Sequence, residues 1–191
     1  ILLRNYRLFQ AQGKGAAVNS GPNRIVPVLY GALIMTMISL FPLINLINVF
    51  CCAGIAIGGL AGVYFYNKQL SGTGIPLTSK DGGMIGLLSG ILAAVLVSGF
   101  TVLAGLLSNT NPVSEALKMM EDSGIDLPSE MLVYADRFSE EYNTYGFSPT
   151  IAIFSFIMHM ILFPLFGAIG AIIGVSILGK KNNAGPTNDQ G

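Results

Sequence analysis

One side chain in the sequence is suited to holding a cofactor, the single histidine, His159. It lies in the apolar run IMHMILFP, where an imidazole could ligate a haem iron or a chlorophyll magnesium, or hydrogen-bond a quinone. The alternative is a neutral imidazole that hydrogen-bonds a neighbouring helix or an acidic segment outside the membrane. No second ligand accompanies His159, so we favour the alternative and predict no bound cofactor.

Other residues that bind metals have the wrong spacing. Cys51 and Cys52 are adjacent, so their side chains point in different directions on a helix, and no second cysteine pair completes a site. We expect them to be small apolar packing residues rather than acylation or soft-metal sites. The carboxylates between Glu115 and Glu141 lack EF-hand spacing. No nucleophile–base arrangement, P-loop or dinucleotide motif occurs, so the sequence predicts neither an enzyme nor a metal site.

These residues lie in or between three long apolar runs. The first, 25–67, has 43 residues without a charge or a histidine, and the others are about 84–107 and 151–178. One spanning helix needs about 20 apolar residues, so the first run is long enough to cross a bilayer twice, with a turn around 41–48. The chain is 52% hydrophobic and only 10% charged. The sequence therefore predicts an all-α, polytopic membrane protein with four transmembrane helices.

The predicted organisation has five parts. These are a basic N-terminal segment and linker at 1–24, transmembrane helices one to three at 25–108, an acidic insert at 109–148, transmembrane helix four at 149–179 and a tail at 180–191. We expect the second helix to end at Tyr64–Tyr66, in an aromatic belt beside Lys68. Asp81 is the predicted N-cap of the third helix.

The acidic insert has the pattern of a small helical hairpin. Asn111–Pro112 is a typical helix start, Gly124 a typical end, and a second start follows at 126–128. Helices this short are marginal in water, so their apolar stripes need another surface, and a partner protein suits an acidic hairpin better than anionic lipid. The predicted docking residues are Val113, Leu117, Met120, Met131, Tyr134 and Phe138.

Basic residues indicate the orientation. With four spans, eight of the ten Lys and Arg residues fall on one side, and the other side carries eight of the ten acidic residues. The positive-inside rule then places both termini in the cytoplasm and the acidic hairpin outside. We expect a multi-pass protein of the cell inner membrane, in contact with the lipid bilayer and with no nucleic-acid partner.

Small residues recur every four positions in the apolar runs. Such spacing lets helix backbones approach closely and pack tightly in lipid. A glycine-lined pore is the alternative, but pores normally have some polar lining. The predicted packing residues are Gly54, Gly58 and Gly62 in the second helix, Gly82, Gly86 and Gly90 in the third, and Gly167, Gly170 and Gly174 in the fourth.

The chain resembles a group of uncharacterised bacterial four-helix membrane proteins over about residues 25–181. The matching features are GLAGVYFYNKQ, IPLTSKDGGMIGLLSGI, a short acidic insert and GAIGAIIGVSILGKK. The resemblance implies no catalytic or ligand residue. We expect a non-catalytic accessory or structural subunit of a larger membrane complex, respiratory or photosynthetic, with other integral membrane subunits as partners. The alternatives are a small transport or channel component, and a pigment- or quinone-contacting subunit that uses His159.

Overall fold

The structure is a computed structural model that describes residues 22–40, 53–108 and 110–183. In these ranges the chain forms α-helices and no β-strand, which confirms the all-α prediction. The predicted turn at 41–48 and the Cys51–Cys52 pair lie outside the described residues. The six helices are α1 (Ile25–Leu40), α2 (Ala53–Leu70), α3 (Ser79–Leu107), α4 (Pro112–Asp122), α5 (Ser129–Tyr145) and α6 (Pro149–Asn183).

Two of these helices, α3 and α6, are long and apolar enough to cross a membrane. α1 is apolar but shorter, with 16 residues. α6 begins at Pro149 and ends at Asn183, four residues beyond the predicted boundary at 179. Two candidate spans are therefore present in the described residues, and four crossings stay a prediction.

α2 is longer than the sequence suggested. It continues to Leu70, so the predicted end at Tyr64–Tyr66 is wrong. Tyr66 and Leu70 are buried, at 2% and 5% exposed, and their packing favours one more helical turn. The turn that follows contains Gly72, whose φ of 87° is a backbone conformation that glycine adopts readily.

Thr78, rather than Asp81, is the N-cap of α3. The Thr78 hydroxyl accepts a hydrogen bond from the Asp81 backbone N–H at 3.2 Å and donates to the Asp81 carboxylate at 2.6 Å. Asp81 is the third residue of the helix, where its negative charge favours the positive end of the helix dipole. The prediction placed the cap one turn too late, because either residue type can cap a helix.

The helices α1, α2, α3 and α6 form a bundle with alternating direction. α3 and α6 make the most extensive contact. α1 packs against α2 and α3, and α2 also packs against α6. Because the helices alternate, Arg24, Lys68 and Lys80 all lie at one end, which we call the basic end. The guanidinium of Arg24 binds the Asp81 carboxylate there at 2.6 Å. The opposite end carries α4 and α5 and is called the hairpin end.

Glycines on α3 and α6 bring the two backbones into direct contact. A Cβ atom on Gly167 would lie 2.6 Å from the carbonyl oxygen of Gly86, and one on Gly86 would overlap the carbonyl oxygen of Gly167. A Cβ on Gly90 would overlap the backbone of Phe163 and Pro164. At the basic end, one on Gly82 would overlap Val175.

α2 has two glycine faces, one towards α1 and one towards α6. Gly58 packs against Met35, and Gly62 lies beside Ile85 and the Pro27 carbonyl. On the face of α2 towards α6, two glycines of α6 make the close contacts: Gly170 packs against the Ala56 backbone, and Gly174 packs against Leu60. Gly54 is also buried.

Two further packing glycines, Gly31 and Gly59, were not predicted from the four-residue spacing of small residues. A Cβ on Gly59 would overlap the Gly167 carbonyl, and one on Gly31 would lie 2.6 Å from the Ser89 hydroxyl. Ser89 is fully buried and donates a hydrogen bond to the Val28 carbonyl at 3.0 Å, which joins α3 to α1. The adjacency of Gly58 and Gly59 was the available signal for a helix packed on two sides.

The hairpin is attached to the start of α6 by Glu141. Its carboxylate accepts hydrogen bonds from the hydroxyl groups of Ser148 and Thr150 and from the Thr150 backbone N–H at 3.1 Å. The hydrogen bond from Ser148, followed by those from Thr150, holds the pKa of Glu141 below its ordinary value. The ionised carboxylate of α5 therefore caps the first turn of α6.

We expect Gly86→Ala to weaken the bundle by about 1–3 kcal/mol, because the new methyl group meets backbone that cannot rotate away. Gly99→Ala is the matched control, since nothing lies within 4 Å of a Cβ at that position of the same helix. Thermal unfolding in detergent, followed by circular dichroism, compares the two. Equal stability of the two variants would contradict the packing role of Gly86.

The first turn of α6 should open in acid. Because the pKa of Glu141 is lower in the folded state, its stabilising effect is present above the ordinary glutamate pKa of about 4.3 and is lost as the pH falls through the lowered pKa. Hydrogen exchange should therefore show protection of the Thr150 amide decreasing on the acid side of that value. Glu141→Gln should reduce this protection above that value and should approach the parent protein in stronger acid, where Glu141 is itself protonated, and the exposed neighbour variant Glu140→Gln should behave as the parent protein at every pH. Full protection in Glu141→Gln would contradict the assignment.

Candidate functional site

Both ends of α4 and the end of α5 lie at clear local signals, whereas α5 begins after Pro128 without a side-chain cap. Asn111 is the N-cap of α4, and its side-chain oxygen accepts hydrogen bonds from the Val113 and Ser114 amides at 3.1 and 3.2 Å. Gly124, with a φ of 70°, follows α4, and Gly146, with a φ of 77°, ends α5. The predicted start at Asn111–Pro112 and the predicted end at Gly124 are confirmed.

A polar clasp joins α4 to α5 at the hairpin's base. The Asn111 amide donates to the Ser139 carbonyl at 3.0 Å and to the Asn143 side chain at 3.0 Å. The Ser114 and Ser139 hydroxyl groups lie 2.8 Å apart. The sequence analysis missed this clasp, although Ser139 and Asn143 lie four residues apart on one helical face. These contacts hold the base together and leave the apolar faces beyond it apart.

An apolar groove of about 290 Å³ lies between these two faces. All six predicted docking residues line this groove, so the structure brings together the residues that the helical spacing singled out. No residue of α4 or α5 is buried, and Met131 and Tyr134 are 55% and 61% exposed. The lining consists of Val113, Ala116, Leu117, Met120, Leu127, Met131, Tyr134, Ala135 and Phe138.

The groove has an acidic end. A second depression of about 390 Å³ shares Leu117, Met120 and Leu127 with the groove and adds the side chains of Glu121 and Asp126. Residues 110–148 carry eight acidic and two basic side chains. One of the basic side chains, Arg137, lies 3.8 Å from Glu141. The groove therefore combines apolar walls with a negative field.

His159 contacts the neighbouring helix rather than the hairpin. Its Nδ1 atom lies 3.0 Å from the Ser98 hydroxyl of α3, and its ring packs edge-on against Phe163 at 5.2 Å. This is the hydrogen bond to a neighbouring helix that the sequence offered as one alternative. The hydrogen bond occupies one ring nitrogen and leaves Nε2 as the atom that could bind a ligand.

A small cavity with mixed polar and apolar walls adjoins His159. Its volume is about 40 Å³, and its polar walls include Ser98, Thr101, Tyr142 and Ser148. This volume suits one or two water molecules, whereas pockets for organic ligands have volumes of about 300–1,000 Å³. A haem, chlorophyll or quinone at His159 would have to approach from outside the helix bundle, and cofactor binding there stays a prediction.

In the described ranges, no three His, Cys, Asp or Glu side chains are grouped so that they could hold a metal ion. The groove, by contrast, brings together nine apolar or aromatic side chains of α4, α5 and the segment between them, with Glu121 and Asp126 at one end. No protein-family model, curated protein or solved structure matches this chain.

Proposed function

We propose that this protein is a non-catalytic accessory subunit of a bacterial membrane complex, and that it holds another protein through the groove of its hairpin. The observation that carries the proposal is the open apolar groove, because all of its lining residues belong to a hairpin too small to bury them. Water contact with apolar side chains is unfavourable by about 25 cal/mol for each Å². A bound partner would remove that contact.

The surface of the bundle supports insertion into lipid. Only 22% of the most apolar window of α3 and 33% of that of α6 is buried, whereas a core helix of a soluble protein would be mostly buried. Large apolar side chains point outward along both helices. They include Leu87, Val95 and Leu103 on α3, and Ile161, Leu165 and Ile173 on α6.

Four crossings follow if α1 and α2 also span the bilayer. They have 16 and 18 residues, or about 24 and 27 Å of helix, and residues 41–52 between them carry no charge. Together with the uncharged joining segment they match a hydrocarbon core about 30 Å thick. The positive-inside rule then places the basic end and both termini in the cytoplasm, and the hairpin outside the inner membrane.

An accessory role agrees with the remaining side chains. The glycines contact neighbouring helices, which favours packing over a glycine-lined pore. His159 has a hydrogen-bond partner and only a small cavity beside it, which favours a structural role over catalysis. We propose other integral membrane subunits as partners. The groove and the lipid-facing surface belong to the same protein, so a partner bound at the groove would lie close to the bilayer.

The topology can be tested by cysteine labelling. In a background with Cys51→Ser and Cys52→Ser, the exposed positions Lys80 and Glu130 are each changed to cysteine. A membrane-impermeant maleimide should label Glu130→Cys in intact cells after outer-membrane permeabilisation, and Lys80→Cys only after the inner membrane is opened. Labelling of both positions from the same face would contradict four crossings with the hairpin outside.

The docking role can be tested by removing the hairpin. Asn111 contacts Ser139, so residues 112–138 can be replaced by a short Gly/Ser bridge that keeps Glu141 and its hydrogen bonds to α6. The shortened protein should still insert, and should lose the protein that copurifies with the parent in mild detergent. The control has the same bridge inserted after the exposed Gly74, at the basic end. Unchanged copurification after the deletion would contradict the proposal.

A further inference from the structure

We propose that the groove between α4 and α5 binds a basic, amphipathic α-helix of the partner protein. This inference rests on the proposed docking function and adds the chemistry of the partner segment. Its support comes from the dimensions of the groove, from the acidic end and from the charge of the whole hairpin.

The dimensions of the groove match a short helix. Its shorter wall, α4, has 11 residues and is about 16 Å long, which corresponds to three turns of helix. A third helix laid along α4 and α5 would complete a small three-helix cluster. Helices that bind in this way place apolar residues at positions i, i+3 or i+4, and i+7. The lining residues recur at the same helical spacing, as Val113, Leu117 and Met120 do on α4.

Charge selects among possible occupants. Glu121 and Asp126 lie at the end of the groove near the loop, so a partner helix with Lys or Arg at that end would meet opposite charges. A second hairpin of this protein would bring a like charge, and so would anionic lipid headgroups. The basic N-terminal residues of this chain lead into α1 at the basic end, which the proposed topology separates from the groove by the bilayer.

Peptide binding to the full-length protein tests this inference directly. The protein is placed in nanodiscs of zwitterionic lipid, and empty nanodiscs correct for binding to lipid. The chain has no tryptophan, so a single tryptophan in a synthetic peptide reports binding by its fluorescence. Three peptides of about three turns are compared: a Leu/Lys amphipathic helix, the same helix with Glu in place of Lys, and a scrambled Leu/Lys sequence.

We expect saturable binding of one Leu/Lys helix per protein, with at least tenfold weaker binding of the Leu/Glu and the scrambled peptides. Leu117→Asn should weaken binding at least tenfold, and Met131→Asn should do the same. Met119→Asn and Val133→Asn are the matched controls, because these side chains are 70% and 67% exposed and do not line the groove. They should change binding less than twofold.

The acidic end is tested separately. Changing Glu121→Gln together with Asp126→Asn should weaken binding of the Leu/Lys peptide and reduce its dependence on salt, whereas Glu140→Gln should change neither. Equal affinity for the Leu/Lys and Leu/Glu peptides would overturn the inference. So would equal binding by Leu117→Asn and Met119→Asn. Formation of dimers that Leu117→Asn abolishes and Met119→Asn keeps would also overturn the inference, in favour of a second copy of this protein. Binding to anionic vesicles with the same dependence on these two variants would overturn it in favour of lipid.

The two proposals can fail independently. If the hairpin deletion releases the copurifying protein but no Leu/Lys helix binds, the docking function stands and the helical, basic occupant is wrong. If the peptide binds the groove but the deletion releases nothing, the groove has the proposed chemistry and the accessory docking function is wrong.

Discussion

The closeness of α3 and α6 is the constraint on which the rest of the structure depends. Gly86 and Gly167 leave no room for a Cβ atom on either helix, so backbone lies on backbone at this point. Tight van der Waals packing is the main attraction available to helices in lipid, because the hydrophobic effect does not drive them together there. A larger residue at either position would force the two backbones apart at this point. α2 adds to the same contact, since Gly59 also packs against Gly167.

The position of the hairpin follows from this contact. α3 and α6 run in opposite directions, so the end of one and the start of the other lie at the same end of the bundle. Glu141 caps α6, and the clasp from Asn111 to Ser139 fixes the base of the hairpin. These polar contacts lie near the bundle, and none of them closes the apolar faces further out. The groove thus lies between two ends that are each held, the polar clasp at the base and the loop 123–128 that joins α4 to α5.

Much of this arrangement could be predicted from the sequence, and the failures have physical causes. The apolar runs, the start at Asn111 and the stripes of the hairpin indicated the helices and the residues of the groove. The Gly58–Gly62 spacing indicated one packing face of α2, but not the second face at Gly59, because a repeat of four describes one side of a helix. The cap at Thr78 was missed since Asp81 is an equally good cap by residue type. The pairing of His159 with Ser98 depends on how α3 and α6 align, which neither helix determines alone.

The bundle and the hairpin differ in how their apolar surfaces are satisfied. On the bundle, outward side chains such as Leu88 and Ile169 are suited to contact with lipid tails. Lipid tails are flexible and apolar, so this contact requires no shape complementarity. In the hairpin, apolar side chains line a concave surface beside Glu121 and Asp126, where neither lipid tails nor water is a good match. An apolar groove of this kind is a known form of binding site for an amphipathic helix. Charge therefore distinguishes the two surfaces: the outward face of the bundle is apolar and uncharged, and the groove of the hairpin has an acidic end.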